Sequence, residues 1–349
     1  MARVANWMVA MINIVVPNWD GADRLGHCVR SLAAQTCAGV EIVVVDNGSV
    51  DDSLAVLAEL AAEIAPVPLT VLRNDVNLGF AGGVNCGIRH ALESGATAIA
   101  LFNNDAVAEP GWLAALTAVL DGEPDVGIAT GRLLMADGRS VDSTGDFYSV
   151  WGLAFPRDRD QPAEPVRESG EVFAASGGAS LYRAALFADI GLFDEVYFAY
   201  FEDVDLSFRA RLAGHRVAYC ADAVAYHDQG ATSRTMGGFA TTQFFRNLPL
   251  VLAKNVPARL LPVVLPRFVL VYSLMVLYQL RRRQAMPALR GVVQSVGLVV
   301  KAIPRRWAIQ RSRRVDASSM RAQLWPGLPP GMRVLRGRLR GGEARRSHP

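Results

Sequence analysis

Cysteine is scarce: the 349 residues hold four, Cys28, Cys37, Cys86 and Cys220, none in C-x-x-C spacing. They read as small hydrophobes in a reducing, cytosolic setting. The start lacks the charged region, apolar region and small-residue cleavage site of a signal peptide, and Met11–Val16 run straight into Pro17-Asn18, so that run is expected to be the first strand. Internal repeats are absent, as is low-complexity sequence before the tail. Acidic residues all but vanish late in the chain: residues 254–349 hold only Asp316 and Glu343 against 20 Lys and Arg, about +18. Residues 1–253 hold 31 acidic residues against 16 basic, about −15, so the overall +3 hides two parts with different partners. The basic part has little aromatic interleaving and no recognition motif, which argues against nucleic acid and for an anionic membrane surface.

What is present is an alternation. Short apolar runs at Ile12–Val16, Glu41–Val45, Leu69–Leu72 and Ala98–Phe102 are separated by helical patterns over Arg24–Ala34, Ser53–Ile64 and Ala81–Glu93, with another over Gly111–Leu120. Apolar strands alternating with helices predict an α/β fold, a mostly parallel sheet flanked by helices, with ligand at the carboxyl ends of the strands. From about Leu133 to Gly170 the pattern loosens into a Pro-, Asp- and Arg-rich stretch, expected to be an acceptor-facing loop. Order returns at Val172–Ala175, then a helix over Arg183–Asp189, an acidic helix over Asp203–Ala213, a strand over Arg216–Cys220 and the segment reaching His227.

The strand ends carry the uncommon residues. Asp46 ends a Val-rich strand where a carboxylate can accept hydrogen bonds from a base or ribose, whereas Asp52 is equally a helix cap and a ligand. The Gly-rich run Asn77 to Ile88, with Gly82 and Asn85, lacks G-x-G-x-x-G spacing; it suits either an anion at a helix start or tight helix–sheet packing. Asn103-Asn104-Asp105 is costly after an apolar strand unless partnered, and a divalent cation shared with diphosphate oxygens is such a partner, with a plain turn as the alternative. His227 lies at another strand end, and imidazole beside carboxylate favours Mn²⁺ over Ca²⁺. In Glu202-Asp203-Val204-Asp205 three carboxylates exceed what a helix start needs; Asp205 and Arg209 are spaced as an i, i+4 ion pair, and one carboxylate is expected to be a general base.

Taken together, VVPNWDG, VVVDNGSVDDS, NLGFAGGVNCGI, LFNNDAV and SGGASLYRAALFADIGLFDEVYFAYFEDVDLSFRARLAGHRVAY, with the later His227, resemble a family 2 glycosyltransferase of the bacterial rhamnosyltransferase-like branch, over about residues 10–250. The resemblance implies a GT-A fold, an inverting mechanism and a nucleotide-diphosphate sugar donor. It implies transfer to a glycan or polyprenyl-linked acceptor in cell-envelope polysaccharide synthesis. The family's acidic turn is commonly Asp-x-Asp; Asn103 replaces the first carboxylate, so Asp105 with His227 would hold Mn²⁺ or Mg²⁺. Asp203 falls on the position of the base, beside Glu202. Pro17 and Asp46 fall on nucleoside-contacting positions, and Asn18, Asn77, Gly82, Asn85, Asn103 and Asn104 complete the expected donor site. Gly178 and Arg246 are candidates for acceptor or diphosphate contact. Processive relatives carry Q-x-x-R-W; here Gln243-Phe244-Phe245-Arg246 ends in Asn247, which favours single addition.

Two other readings compete. A sugar-nucleotide nucleotidyltransferase needs a Gly-rich, Arg- or Lys-bearing loop after the first strand, where this chain has Pro17 to Gly21. A non-catalytic sugar-nucleotide-binding scaffold would be expected to lose Asp105, Asp203 and His227. The expected domains are a catalytic one over 1–247, soluble by itself, and a basic region over 248–349. Within the latter, Pro262, Pro266 and Arg267 leave only Phe268–Leu280 uninterrupted, too short to cross a bilayer. Leu289–Lys301 is amphipathic, with Arg290, Gln294 and Lys301 on one face. This C-terminal amphipathic helical extension is therefore expected to lie peripherally on the cytoplasmic face of the bacterial inner membrane, its Arg305–Arg346 tail on anionic headgroups.

Overall fold

The computed structural model describes residues 11–228, 236–330 and 332. It opens with β1 (Ile12–Asn18), α1 (Ala22–Ala33), β2 (Val40–Asp46), α2 (Ser53–Glu63), β3 (Leu69–Arg73), α3 (Gly79–Glu93) and β4 (Ala98–Phe102). Ile14, Val15 and Val16 of β1 and Ile42 to Val45 of β2 are wholly buried. Burial on both faces is what a parallel strand between helix layers requires, and β3, β2, β1 and β4 pair in that order, all parallel.

Beyond β4 the sheet becomes mixed. The chain continues through β5 (Ala106–Ala108), α4 (Trp112–Gly122), β6 (Val126–Met135), β7 (Val141–Ser143), β8 (Asp146–Tyr148), β9 (Ala154–Pro156), β10 (Gly170–Glu171), β11 (Ala179–Arg183), α5 (Ala184–Ile190), α6 (Glu202–Leu212) and β12 (Arg216–His227). β11 enters antiparallel between β4 and β6, and β12 runs parallel to β6. The stretch expected to be a loop thus carries short strands, β7 pairing with β6 and β8 with β9. Helices α1, α2 and α4 cover one face of the sheet; α3, α5 and α6 cover the other.

β12 outruns the expected strand Arg216–Cys220. After a register shift between Cys220 and Val224 it continues to His227, where it pairs antiparallel with β5, placing His227 opposite Ala106.

Five helices follow: α7 (Phe239–Asn255), α8 (Leu261–Leu280), α9 (Ala285–Lys301), α10 (Ile303–Ser312) and α11 (Ala317–Gln323). They correct two expectations. The boundary at 247 falls inside α7, whose Leu248, Leu250 and Val251 share a core with Val204, Phe208 and Leu212 of α6. The prolines do not cut α8 short: Pro262 sits in its first turn, where no N–H is missed, and the helix runs through Pro266. Ala258–Leu280 is long and apolar enough to cross a membrane by length and composition. The basic residues after Met332 lie outside the described residues.

Candidate active site

Three strand ends converge. Asn18 closes β1, Asp46 closes β2, and Asn103 to Asp105 follow β4. Nδ2 of Asn104 donates to Oδ1 of Asn18 at 2.7 Å, and Nδ2 of Asn18 lies 3.5 Å from Oδ1 of Asp46 and 3.4 Å from Oγ of Ser49. Gly21 permits this approach, because a Cβ there would fall 2.3 Å from Asn104 Nδ2 and 2.4 Å from Asn18 Oδ1. Asp46 is fully buried and its Oδ2 has no hydrogen-bond partner. A buried carboxylate oxygen without a donor costs free energy that a ligand N–H or O–H would recover. Pro17 sits one residue before Asn18, paired in register with Val45. Asp52 is exposed and makes no capping bond; Asp51 instead accepts from Ser53 N and Oγ at 3.1 and 2.5 Å.

The Gly-rich segment has scaffold work. Oδ1 of Asn77 accepts from Gly79 N at 2.8 Å and from Asn47 Nδ2 at 3.1 Å, and Ala81 N donates to the Phe198 carbonyl at 3.1 Å. Two first-turn amides of α3, those of Gly79 and Ala81, are thus engaged within the protein. Asn85, buried, exchanges hydrogen bonds with the backbone of Phe193 at 2.9 and 3.0 Å and donates to Glu195 at 2.9 Å. A Cβ on Gly82 would lie 2.6 Å from Leu78 Cβ, and one on Gly87 2.3 Å from Val15 Cγ1. Asn77 and Asn85 thus have scaffold partners, Gly87 packs on β1, and Gly82 makes room for Leu78 at the start of its own helix.

Asp105 and His227 do meet. Nε2 of His227 is 3.1 Å from Oδ1 of Asp105, their side chains 11% and 9% exposed. The other ring nitrogen, Nδ1, is 2.7 Å from Oδ2 of Asp142 on β7, a residue that sequence reasoning missed. Asp142 is buried and also pairs with Arg159 at 2.7 Å. Burial alone would lower the proton affinity of His227, but the two flanking carboxylates win and raise its pKa to about 9. A carboxylate on the far nitrogen is the usual way a metal-binding imidazole is oriented. Among the described residues no three His, Cys, Asp or Glu side chains converge as a metal site. Two donors of hard and intermediate character fit a Mg²⁺- or Mn²⁺-type ion that takes its remaining ligands from substrate phosphate and water.

Asp203 stands at the start of α6. Its Oδ2 accepts from Gly177 N at 3.0 Å and its Oδ1 from Val204 N at 2.8 Å, which fixes the carboxylate while leaving it partly exposed. Burial raises its proton affinity, and these amides oppose the shift. The neighbouring Gly178 accepts from Asn103 N at 2.9 Å, and Asn103 Nδ2 lies 3.4 Å from His227 Nε2. The segment Gly177-Gly178 thus joins the base candidate to the metal candidates. Glu202 is buried with Oε2 unpartnered, and burial beside Asp203 holds its pKa well above the usual carboxylate range. Asp146 on β8 is another buried acid, raised to about 8 by burial and by Asp203.

Asp205 has a structural role. Its carboxylate receives Arg209 Nε at 2.9 Å, Tyr197 Oη at 3.0 Å, Asn255 Nδ2 at 2.8 Å and Lys254 Nζ at 2.8 Å. The turn that aims α6 is strained: Phe198, Tyr200 and Phe201 have φ of 63°, 70° and 71°, a region non-glycine residues occupy at a cost. Asn247 holds it, its Nδ2 lying 2.9, 2.8 and 2.9 Å from the carbonyls of Tyr197, Ala199 and Tyr200. Arg246 adds bonds to the Val196 and Tyr197 carbonyls at 2.7 and 3.1 Å and is itself half-buried. A departure from the processive motif, Asn247, is what braces the turn.

A mixed sheet of this order, with an acidic turn after β4 and a carboxylate opening α6, defines a GT-A-type glycosyltransferase. The fold is similar to that of Staphylococcus aureus TarS (TM-score 0.56, 17% identity, 86% of this chain and 83% of that one). It is also similar to a mannosyltransferase from Pyrobaculum calidifontis in complex with GDP-Man and Mn²⁺ (TM-score 0.54, 15% identity, 89% and 86% covered). The chain belongs to the glycosyltransferase like family 2, whose model matches residues 10–246. Among its relatives is the N-acetylglucosaminyl-diphospho-decaprenol L-rhamnosyltransferase of Mycobacterium tuberculosis, 27% identical over 250 residues, covering 65% of this chain and 79% of that protein. A PGL/p-HBAD biosynthesis glycosyltransferase of Mycobacterium bovis is 26% identical over 242 residues, covering 69% and 84%.

Proposed function

We propose that the protein is an inverting glycosyltransferase that moves one sugar, of the rhamnose class, from a nucleoside-diphosphate donor to a hydroxyl of a glycan or polyprenyl-linked acceptor. It would act at the cytoplasmic face of a bacterial inner membrane, in cell-envelope polysaccharide synthesis. The observation that carries this reading is the Asp203 carboxylate, fixed by Gly177 N–H and joined through Gly178 and Asn103 to the Asp105–His227 pair. The relative that uses a decaprenol-linked substrate by name supports the acceptor class.

Asp203 would take the proton of the acceptor hydroxyl. The acceptor oxygen then bonds to the anomeric carbon as the bond from that carbon to the diphosphate breaks, its electron pair leaving with the nucleoside diphosphate. One displacement inverts the carbon, and a single carboxylate suffices. Asp46 Oδ2, with Pro17 and Asn18 beside it, would receive a donor group of the nucleoside, while Asn103 and Asn104 line the approach to the phosphates. Asp105 and His227 would hold Mn²⁺ or Mg²⁺, which when bound offsets the charge developing on the leaving diphosphate. Asp142 would hold the Nδ1 proton of His227, leaving Nε2 for the metal.

The deciding measurement is a melting-temperature panel of thymidine, uridine and guanosine diphosphates with Mn²⁺ or Mg²⁺, followed by transfer assays with the matching sugar nucleotide. Stabilisation by one nucleotide that needs the metal is expected, since only a bound ligand stabilises by mass action. No stabilisation by any of them would refute the donor assignment.

A further inference from the structure

Exposed large apolar side chains gather on α8, α9 and α10. α9 is amphipathic in an inverted sense: its small residues Ala288, Gly291 and Ser295 are buried, and its large aliphatics face outward. A Cβ on Gly291 would fall 2.4 Å from the Thr242 carbonyl, so α9 packs on α7 through a face where only glycine fits. Val293 and Val296 are 72% and 64% exposed, and Trp307 of α10 is 70% exposed. α8 continues the surface with Val269, Leu270, Leu274 and Leu277, each more than half exposed. Isolated exposed aliphatics are ordinary, but a patch spread over three consecutive helices marks an interaction site.

The charges indicate the occupant. Residues 255–315 contain twelve Lys and Arg and no Asp or Glu. Arg281, Arg282 and Arg283 lie exposed in the turn between α8 and α9, and Arg290, Lys301 and Arg311 are exposed on α9 and α10. A second copy of this chain would set like charge against like charge, and the core of a protein interface is depleted of charge. A bilayer with anionic headgroups takes both components, aliphatics toward the acyl boundary and cations among the headgroups.

We infer that α8, α9 and α10 form a platform that docks in the plane of an anionic membrane, with Val293, Val296 and Trp307 entering the acyl boundary. α8 does not cross. Its 20 residues span about 30 Å, enough for a bilayer, but Val264, Phe268 and Val271 are buried in the core beneath it. Tyr272 Oη donates to the Phe245 carbonyl at 2.6 Å, and Phe268 stacks on Tyr272. One stripe of α8 thus belongs to the catalytic domain and the opposite stripe faces out. Because Phe245 adjoins Arg246 and Asn247 on α7, docking the platform fixes the orientation of the Asp203 turn over the membrane. This deepens the proposed lipid-linked acceptor, and it rests on that reading only for its purpose.

The test uses the full chain and vesicles of phosphatidylcholine alone or mixed with the anionic lipid phosphatidylglycerol. Flotation with the anionic vesicles, weakened by salt, is expected, with Trp307 emission quenched by brominated acyl chains and that signal missing in Trp307→Phe. Val293→Asp with Val296→Asp should lower vesicle binding on the order of tenfold or more, with melting temperature and nucleotide-diphosphate binding unchanged. Equal binding by that variant, or equal binding to neutral vesicles, would overturn the inference. So would membrane protein that resists alkaline carbonate, which indicates a span, or a dimer that the variant abolishes without any vesicle effect. Nucleotide binding is read separately, so failure of docking and failure of the transferase reading are distinguishable.

Discussion

Oδ2 of Asp142 lies 2.7 Å from Nδ1 of His227, on the side of the ring opposite Asp105. An imidazole held this way can turn only one nitrogen toward a metal. Asp142→Asn keeps an acceptor of similar size but removes the charge, and Mn²⁺ affinity is expected to fall about 10- to 100-fold. Electron paramagnetic resonance titration of free Mn²⁺, with nucleotide diphosphate present, measures this directly. An unchanged affinity would make Asp142 a fold residue only, and the melting temperature of the metal-free variant reports that role independently.

Asp203→Asn is expected to lower transfer at least about a hundredfold while nucleotide-diphosphate affinity stays within error, because a base acts on the acceptor. Near-normal turnover would remove Asp203 from the mechanism and point to Glu202 or Asp205, the latter held in ion pairs with Arg209 and Lys254.

The same carboxylate sets a pH dependence. Burial raises its proton affinity, and the base acts only when ionised, so transfer in the wild type should fall on the acid side with an apparent pKa above the roughly 3.9 of a free aspartate. Saturating donor and acceptor isolate this limb. A rate that stays flat down to about pH 4 would contradict the assignment.

The strand ends were legible because each breaks an apolar run: Asn18, Asp46 and Asn103 to Asp105 stand where a buried strand meets solvent, and the structure brings them to one edge. β6 and β11 were not, because polar Thr130 and Ser180 interrupt them. Those two residues bond each other at 2.8 Å across the sheet, a pairing invisible until the strands are neighbours. Asp142 sits in a Pro-, Asp- and Arg-rich stretch among several acids of similar local appearance, and only the β7 pairing singles it out. The glycines after Asn77 look the same in sequence for phosphate binding and for packing; the bond from Ala81 N to the Phe198 carbonyl and the contact of Gly87 with Val15 appear only once the distant segments are neighbours.

Asn247 braces three residues at positive φ just before α6. Its side chain is fully buried, so Asn247→Ala leaves carbonyls without a donor at a cost of about 1–3 kcal/mol. Relaxation of the turn would also move Asp203. A loss of transfer exceeding any loss in nucleotide affinity is expected, together with a lower melting temperature. A variant that is destabilised yet transfers normally would show that the strain has no part in placing the base.

Lys254 lies seven residues past the boundary expected from sequence, wholly buried, with Nζ 2.6 Å from Asp194 and 2.8 Å from Asp205. A chain ending at Asn247 removes it, with Asn255 and the Leu248, Leu250 and Val251 core, and should fail to fold rather than yield the soluble domain first expected. Lys254→Ala isolates the charge and should cost about 3–5 kcal/mol at pH 7, the range for breaking a buried pair. Burial would raise the pKa of Asp205, but Lys254 and Arg209 outweigh it and hold that carboxyl below its ordinary value. A depressed carboxyl contributes stability that is complete above its unfolded pKa of about 3.9 and is lost as pH falls through the folded value. Lys254→Ala lifts the folded value back toward the unfolded one, so urea unfolding should show a gap between wild type and variant that is full at pH 7 and narrows below about pH 4. A gap that stays constant down to about pH 3 would mean that the lysine acts through packing alone.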